Sequence, residues 1–257
     1  MTEKRALVTG GGKRLGSAMA LYLAGRGHDV AVHYNASSEG AEAVAAEIGK
    51  LGRRAVLLPA DLLDEDATEG LVDRAAEALG GPLNLLVNNA SIFERDSLAT
   101  VTRESWDRHM QSNLRAPFVL LQRFAAQAPR AFLDHRGEVM PQALAVNIVD
   151  QRVWRPSPEY MSYTLAKMAL WALTQTAAQA LAREVRVNAI GPGYTMHDPG
   201  QSEEDFLRAR AAVTPGRPPN PEDICGALGY LLEAPSVTGQ MIAVDGAQHL
   251  DWPSRRG

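Results

Sequence analysis

What most constrains this chain is a regular alternation of short apolar runs with longer amphipathic segments. Strand-like runs fall at residues 6–8, 30–33, 55–58, 83–88, 143–149, 185–189 and 241–244. Helix-like stretches lie between them, at 14–26, 38–51, 64–79, 103–128, 159–182 and 221–232. Runs this apolar suit strands covered on both faces, as in parallel sheets. Strand–helix repetition at this spacing builds right-handed βαβ units. The expected architecture is therefore α/β, a single doubly wound Rossmann-type domain over 1–257. It should hold a seven-stranded parallel sheet with helices on both faces and a crevice at the carboxyl ends of the strands. No linker or low-complexity tract divides it. The region 197–220, which carries Pro199, Pro215, Pro218 and Pro219, is expected to be a lid over that crevice.

Composition narrows the function classes. A net charge of −4 argues against a broad nucleic-acid surface. No stretch approaches the roughly 20 apolar residues of a membrane helix. The apolar run near the N-terminus is too short for a signal peptide. The lone cysteine, Cys225, cannot form an internal disulfide, which predicts a reducing compartment, the cytoplasm. No metal site is expected.

The first strand runs directly into Thr9-Gly10-Gly11-Gly12-Lys13-Arg14-Leu15-Gly16, which then opens a helix. Glycines let the backbone turn tightly and approach a pyrophosphate, and a helix N-terminus presents unpaired N–H groups with partial positive charge. A glycine cluster alone is weak evidence, but its place between strand and helix is what a phosphate-binding turn requires. The end of the second strand reads His33-Tyr34-Asn35-Ala36-Ser37, with no carboxylate to take a ribose 2′-hydroxyl. That absence predicts NADP(H), with Lys13, Asn35 and Ser37 as donors to the 2′-phosphate. The bland alternative for Lys13 is a solvated surface lysine.

Tyr163 and Lys167 stand four apart in a predicted helix and so share one face. A neighbouring ammonium stabilises phenolate and lowers the tyrosine pKa, which suits a proton donor beside a hydride transfer.

Order and spacing of these motifs resemble the short-chain dehydrogenases/reductases over nearly the whole chain. The glycine turn matches the pattern Thr-Gly-x-x-x-Gly-x-Gly, except that Arg14 stands in place of the middle glycine. Asn88-Asn89-Ala90-Ser91, Asn113, Gly191-Pro192-Gly193, Thr238-Gly239 and Asp245-Gly246 match further family positions. The resemblance implies that Asn113 joins Tyr163 and Lys167 in a proton relay. It implies that Asp61, flanked by Ala60 and Leu62, meets the adenine, and that Gly10, Leu15, Gly16, His33, Tyr34, Asn89, Ala90, Pro192, Gly193 and Thr195 line the cofactor.

One departure carries chemistry. The family's serine, thirteen residues before the tyrosine, is here Asp150. An ionised aspartate cannot donate to a substrate oxyanion, and it keeps Tyr163 protonated, whereas a buried Asp150 could itself carry a proton, and the sequence leaves both states open. Together with Lys13-Arg14-Leu15-Gly16, His33-Tyr34 and Ser91-Ile92-Phe93, it makes the chain resemble the pteridine reductase branch, including dihydromonapterin reductases. That likeness implies that Phe93 stacks on a pterin and that Arg14 and Ser91 contact substrate or phosphate. Phe93 could otherwise be loop packing. Some pteridine reductases have an arginine after the second strand, where this chain has Ala36.

The expected activity is reduction of a dihydropterin (dihydrobiopterin, dihydromonapterin or dihydrofolate) by NADPH, with Arg14, Ser91, Phe93, Asp150 and Tyr163 at the substrate. The alternatives are a carbonyl reductase or alcohol dehydrogenase for another small molecule, and a non-catalytic NADP(H)-binding regulator. A homodimer or homotetramer is expected, with Trp106, Leu120, Leu121, Trp171 and Leu173 serving either as C2 contacts or, equally, as core. The tail at 252–257 is expected at the surface.

Overall fold

Seven strands pair in parallel in the order β3-β2-β1-β4-β7-β8-β9 in a computed structural model, which describes residues 3–197, 202–211, 213 and 217–250. They are β1 (Arg5–Val8), β2 (Asp29–Tyr34), β3 (Ala55–Pro59), β4 (Leu85–Asn88), β7 (Ala143–Ile148), β8 (Val185–Pro192) and β9 (Met241–Val244). β1 pairs with both β2 and β4, so strand order reverses between them. In open α/β sheets the crevice at such a switch point is where nucleotides sit.

Successive strand residues face opposite layers, as a period of two requires. Ala6, Val8, Val30, Val32, Leu85, Val87 and Val146 pack with Met19, Leu23, Val44, Ile48 and Leu228, from α1 (Arg14–Gly25), α2 (Ser38–Lys50) and α9 (Pro221–Glu233). Leu7, Ala31, Leu86, Ala145 and Val187 face the other way. They meet Leu71, Val72, Leu79, Leu120, Phe124 and Ala178, from α4 (Leu71–Leu79), α6 (Ala116–Gln127) and α7 (Met161–Leu181). Each fully buried Leu, Ile or Phe contributes on the order of 1.5–3 kcal/mol.

Three expected helices depart from their predicted bounds. The segment 64–79 divides at Gly70 into α3 (Glu65–Glu69) and α4. The segment 103–128 is α5 (Arg103–Met110) and α6 joined by a π-turn over Gln111–Arg115, where Asn113 reaches out to a neighbouring loop. The helix expected from 159 begins at Met161, because Tyr160 adopts left-handed backbone (φ 56°). A short antiparallel hairpin, β5 (Phe132–Leu133) with β6 (Val139–Met140), had no sequence expectation.

Within the region expected as a lid, α8 (Glu203–Ala211) buries none of its side chains. Residues 198–201, 212 and 214–216 of that region, Pro199 and Pro215 among them, lie outside the described residues, as does the tail at 252–257. Among the described residues no helix is long and apolar enough to cross a membrane. Two of the candidate interface residues belong to the core instead: Leu120 and Leu121 are buried under the sheet, while Trp106 is exposed.

Candidate active site

The glycine turn is held by its neighbours rather than by itself. Gly10 takes left-handed backbone (φ 63°) and donates its N–H to His33 Nδ1 at 3.0 Å. His33 Nε2 faces the Ala60 carbonyl at 3.1 Å, and Gly11 donates to the His33 carbonyl at 2.8 Å. These partners place the ring proton on Nε2. Burial pushes His33 down to about 4, so the ring is neutral near pH 7. His33 therefore underlies the turn, and the expectation that it lines the cofactor is corrected: its side chain is buried and both ring nitrogens are engaged.

Gly16 is sterically required, since a Cβ there would lie 2.1 Å from the Gly10 carbonyl oxygen. A Cβ on Gly40, in the first turn of α2, would lie 2.5 Å from the Gly12 carbonyl oxygen, so α2 packs close behind the turn. Arg14 adopts φ 53°, the conformation that the family's glycine would take without strain. Lys13, at the N-cap of α1, makes no side-chain cap, so the first-turn N–H groups of α1 keep their capacity to bind an anion. Lys13, in the turn before α1, and Asn35 are exposed, and Ser37 and Tyr34 are half-buried, with Tyr34, Asn35 and Ser37 at or just after the end of β2. This donor set and the glycine cradle fit a dinucleotide.

On the other side of the switch point, one hydroxyl ties two walls together. Thr9 Oγ1 accepts from the Asn89 and Ala90 amides at 2.9 and 3.0 Å, and Asn89 Nδ2 donates to the Thr9 carbonyl at 2.8 Å. Asp61 is exposed beyond β3 and turns one oxygen to the Leu63 amide at 3.0 Å, whereas Ala60 and Leu62 are buried. Pro192 and Gly193 end β8, where Gly193 donates to the Val244 carbonyl at 3.0 Å and Thr195 Oγ1 to the Gly193 carbonyl at 3.1 Å. α8 is pinned here by its Arg210, which donates to the Thr195 and Pro219 carbonyls at 3.2 and 2.8 Å.

The chemical groups converge beyond β7. Tyr163 donates its hydroxyl to Asp150 Oδ2 at 2.9 Å. The Arg152 amide donates to Asp150 Oδ1 at 2.8 Å. Lys167 Nζ lies 5.7 Å from the Tyr163 ring centroid and donates to the Ile148 carbonyl at 2.8 Å. Burial pushes Asp150 above the ordinary aspartate value, against the opposing pull of Arg152, Tyr163 and Lys167. Burial lowers Lys167 to about 8, with Asp150 holding it up. The phenol, ammonium and carboxylate expected from the sequence thus lie together.

Asn113 is fully buried in the π-turn. Its Oδ1 accepts from the Ile92 amide at 2.9 Å and from Ser91 Oγ at 3.2 Å, and its Nδ2 donates to the Ile92 carbonyl at 2.8 Å. The side chain clamps the loop that bears Ser91 and Phe93, so any part in a proton relay falls to its backbone rather than to this amide.

Phe93 is 36% exposed, with the Tyr163 ring edge-on at 4.7 Å. One face is covered by Tyr160, stacked at 4.3 Å and 5°. A buried polar string fixes both rings. Glu94 donates its amide to His109 Nε2 at 3.1 Å, His109 Nδ1 lies 2.7 Å from Ser162 Oγ, and Ser162 bonds Asp96, whose carbonyl accepts from Tyr160 N. Burial lowers the His109 pKa, consistent with a neutral ring. Tyr160, Arg152, His109 and Asp96 had no sequence expectation. They follow no short motif, although Tyr160 and Arg152 stand three before Tyr163 and two after Asp150.

The family model for short chain dehydrogenases matches residues 4–206. The chain belongs to the short-chain dehydrogenase/reductase family. It is 30% identical to the 3-oxoacyl-[acyl-carrier-protein] reductase FabG of Staphylococcus aureus, over 96% of this chain and 98% of that protein. Among solved structures, it is similar to FolM alternative dihydrofolate reductase 1 from Brucella canis complexed with NADP. That likeness has a TM-score of 0.88 and 42% identity, covering 97% of this chain and 95% of that one. A short chain dehydrogenase from Burkholderia cenocepacia in complex with NADP aligns with a TM-score of 0.84 and 34% identity, over 95% and 97%. The chain is a short-chain oxidoreductase.

Proposed function

We propose that this oxidoreductase uses NADPH to reduce a dihydropterin to its tetrahydro form. The observation that carries the reading is the hydrogen bond between Tyr163 and Asp150, beside the exposed ring of Phe93. A ketone becomes an alkoxide on reduction and needs donors. A ring C=N becomes an amine, and its nitrogen needs a proton. A carboxyl raised by burial, in contact with a phenol, holds a proton more readily than an ordinary aspartate.

Lys13, Asn35 and Ser37 would hold the 2′-phosphate, and the first turn of α1 with Gly10 and Gly16 the pyrophosphate. Structures solved with NADP at 42% and 34% identity support that cofactor. When bound, NADPH would supply the hydride that the ring carbon takes up. Tyr163 passes a proton to the ring nitrogen and is reprotonated through Asp150. Lys167 stabilises the tyrosine oxygen while its proton is away. Phe93 offers a ring face for a flat heteroaromatic, with Arg14 and Ser91 at its edge.

The test is NADPH consumption with dihydrobiopterin, dihydromonapterin and dihydrofolate, compared with 3-oxoacyl thioesters and simple ketones. Turnover of a dihydropterin with kcat/KM well above that for ketones supports the reading. Ketone turnover with silence on every pterin rejects it. The FabG relative favours a second reading, carbonyl reduction, which Tyr163 and Lys167 alone would serve.

A homo-oligomer is part of the same proposal. Trp106, Phe118, Leu165 and Met168 are exposed on α5, α6 and α7. A cavity of about 810 Å³, away from the catalytic cluster, opens beside Phe118 and Leu173. A monomer by light scattering at assay concentration would reject it.

A further inference from the structure

The geometry points to Arg152 as a substrate-recognition residue, one that donates from its guanidinium to an acceptor oxygen of the substrate bound at Phe93. The inference rests on the reading of this crevice as the site of a flat, acceptor-bearing substrate.

Its position is the first argument. Arg152 lies in the short turn Gln151–Val153 that follows Asp150, and its guanidinium carbon is 5.4 Å from the Phe93 centroid and 4.8 Å from the Tyr160 centroid. Its Nε is 4.0 Å from Asp150 Oδ1, too long for a hydrogen bond. One side chain therefore borders both the proton-delivering carboxylate and the aromatic wall.

Its unmet bonding is the second. The side chain is 16% exposed, and Nη1 is buried with no hydrogen-bond partner. A guanidinium carries five donors in a fixed fork, and a buried donor left without an acceptor is costly. Arg186, a buried arginine of the core, also leaves its Nε unpaired, but it gives its terminal Nη1 to three backbone carbonyls at 2.8, 3.0 and 3.2 Å. Arg152 instead keeps a buried donor beside the exposed ring of Phe93. A carbonyl, hydroxyl or carboxylate oxygen would satisfy it with a charge-assisted bond. The oxygen can belong to the ring of the substrate or to its substituent.

The test uses Arg152→Met and Arg152→Lys in the full chain. Neither removes the backbone amide that bonds Asp150. NADPH affinity, measured by fluorescence, reports an intact fold and cofactor site. Substrate Kd and KM are then measured with a 6-methyl dihydropterin, whose only oxygen is on the ring, with dihydromonapterin, which adds neutral hydroxyls, and with dihydrofolate, which adds carboxylates. The expected result for Arg152→Met is a rise in Kd and KM of about tenfold or more, larger than the fall in kcat, with NADPH Kd unchanged. Arg152→Lys keeps the charge but loses the fork, and should fall between. A rise shared by all three substrates places the oxygen on the ring. A rise confined to the last two, or to the last, places it on the substituent.

Substrate Kd unchanged in Arg152→Met for all three overturns the inference. So does a shift in the pH midpoint of kcat without a change in Kd, which would mean that Arg152 acts through Asp150. Failure of the pterin reading looks different: wild-type protein then binds no pterin. In that case the same ratio of KM values is read on whichever ketone the wild type reduces, where a tenfold rise supports recognition and an unchanged KM refutes it.

Discussion

Replacing His33 by leucine tests whether the cofactor turn depends on a residue beneath it. Leucine keeps most of the volume and removes two hydrogen bonds, from Gly10 N–H and to the Ala60 carbonyl. Each backbone group left unpaired costs roughly 1–3 kcal/mol, so the variant should lose about 2–6 kcal/mol. At roughly 2–4 °C per kcal/mol for a domain near this size, Tm should fall by about 4–24 °C. NADPH affinity should fall with it, because Gly10 loses the contact that fixes its left-handed turn. Acid gives an independent check. The His33 pKa is about 4 when folded against an ordinary value of 6.5, so the unfolded chain takes up its proton first as pH falls. Stability is lost as pH falls from about 6.5 towards 4, by at most on the order of 3 kcal/mol from this group. His28, also lowered to about 4 by burial, adds to the same window. His33→Leu should flatten this acid slope but not abolish it. Differential scanning calorimetry from pH 4 to 8 and NADPH titration by fluorescence measure both effects. A variant within about 2 °C of wild-type Tm and with unaltered NADPH affinity would refute the supporting role of His33.

Other substitutions probe the chemistry. Tyr163→Phe should lower kcat by at least about a hundredfold while NADPH binding persists; unchanged turnover in a stopped-flow assay would remove Tyr163 as the proton donor. Asp150→Asn removes a buried group whose folded pKa lies above its ordinary value, so Tm at neutral pH should hold or rise while pterin turnover falls; a falling Tm with intact turnover contradicts the assignment. Arg14→Gly should relieve roughly 1–2 kcal/mol of left-handed strain, partly offset by the entropy of glycine. Tm should rise by a few degrees while substrate KM increases, and a lower Tm would show that the arginine is not strained. Above pH 8, kcat should decline as Lys167, lowered to about 8, loses its proton; a flat profile to pH 10 would dissociate the ammonium from catalysis.

The sheet was legible because its strands are nearly all apolar and its helices carry one buried stripe. All seven strands, the glycine turn and the Asp150, Tyr163, Lys167 cluster were expected from spacing and motif. The breaks were not. Gly70 could have been helical, and the π-turn exists because Asn113 bonds Ile92, a partner 21 positions away. His33 was read as lining the cofactor because position along a strand does not tell which way a ring turns. Leu120 and Leu121 stay open between interface and core in the sequence, because core and contact surface use the same residue types. Tyr160, Arg152 and the string from Asp96 to His109 acquire meaning only when distant segments meet.

Thr9 has a consequence for how substrates diverge on this frame. A single hydroxyl rivets the first strand to the segment after the fourth, so the gap between them has a fixed width that sequence change elsewhere cannot readily alter. Adaptation to new molecules is then confined to the rim: the turn after Asp150, the loop of Phe93 and the segment held by Arg210. Libraries that vary those three stretches and leave the floor intact should change what is reduced without disturbing what supplies the electrons.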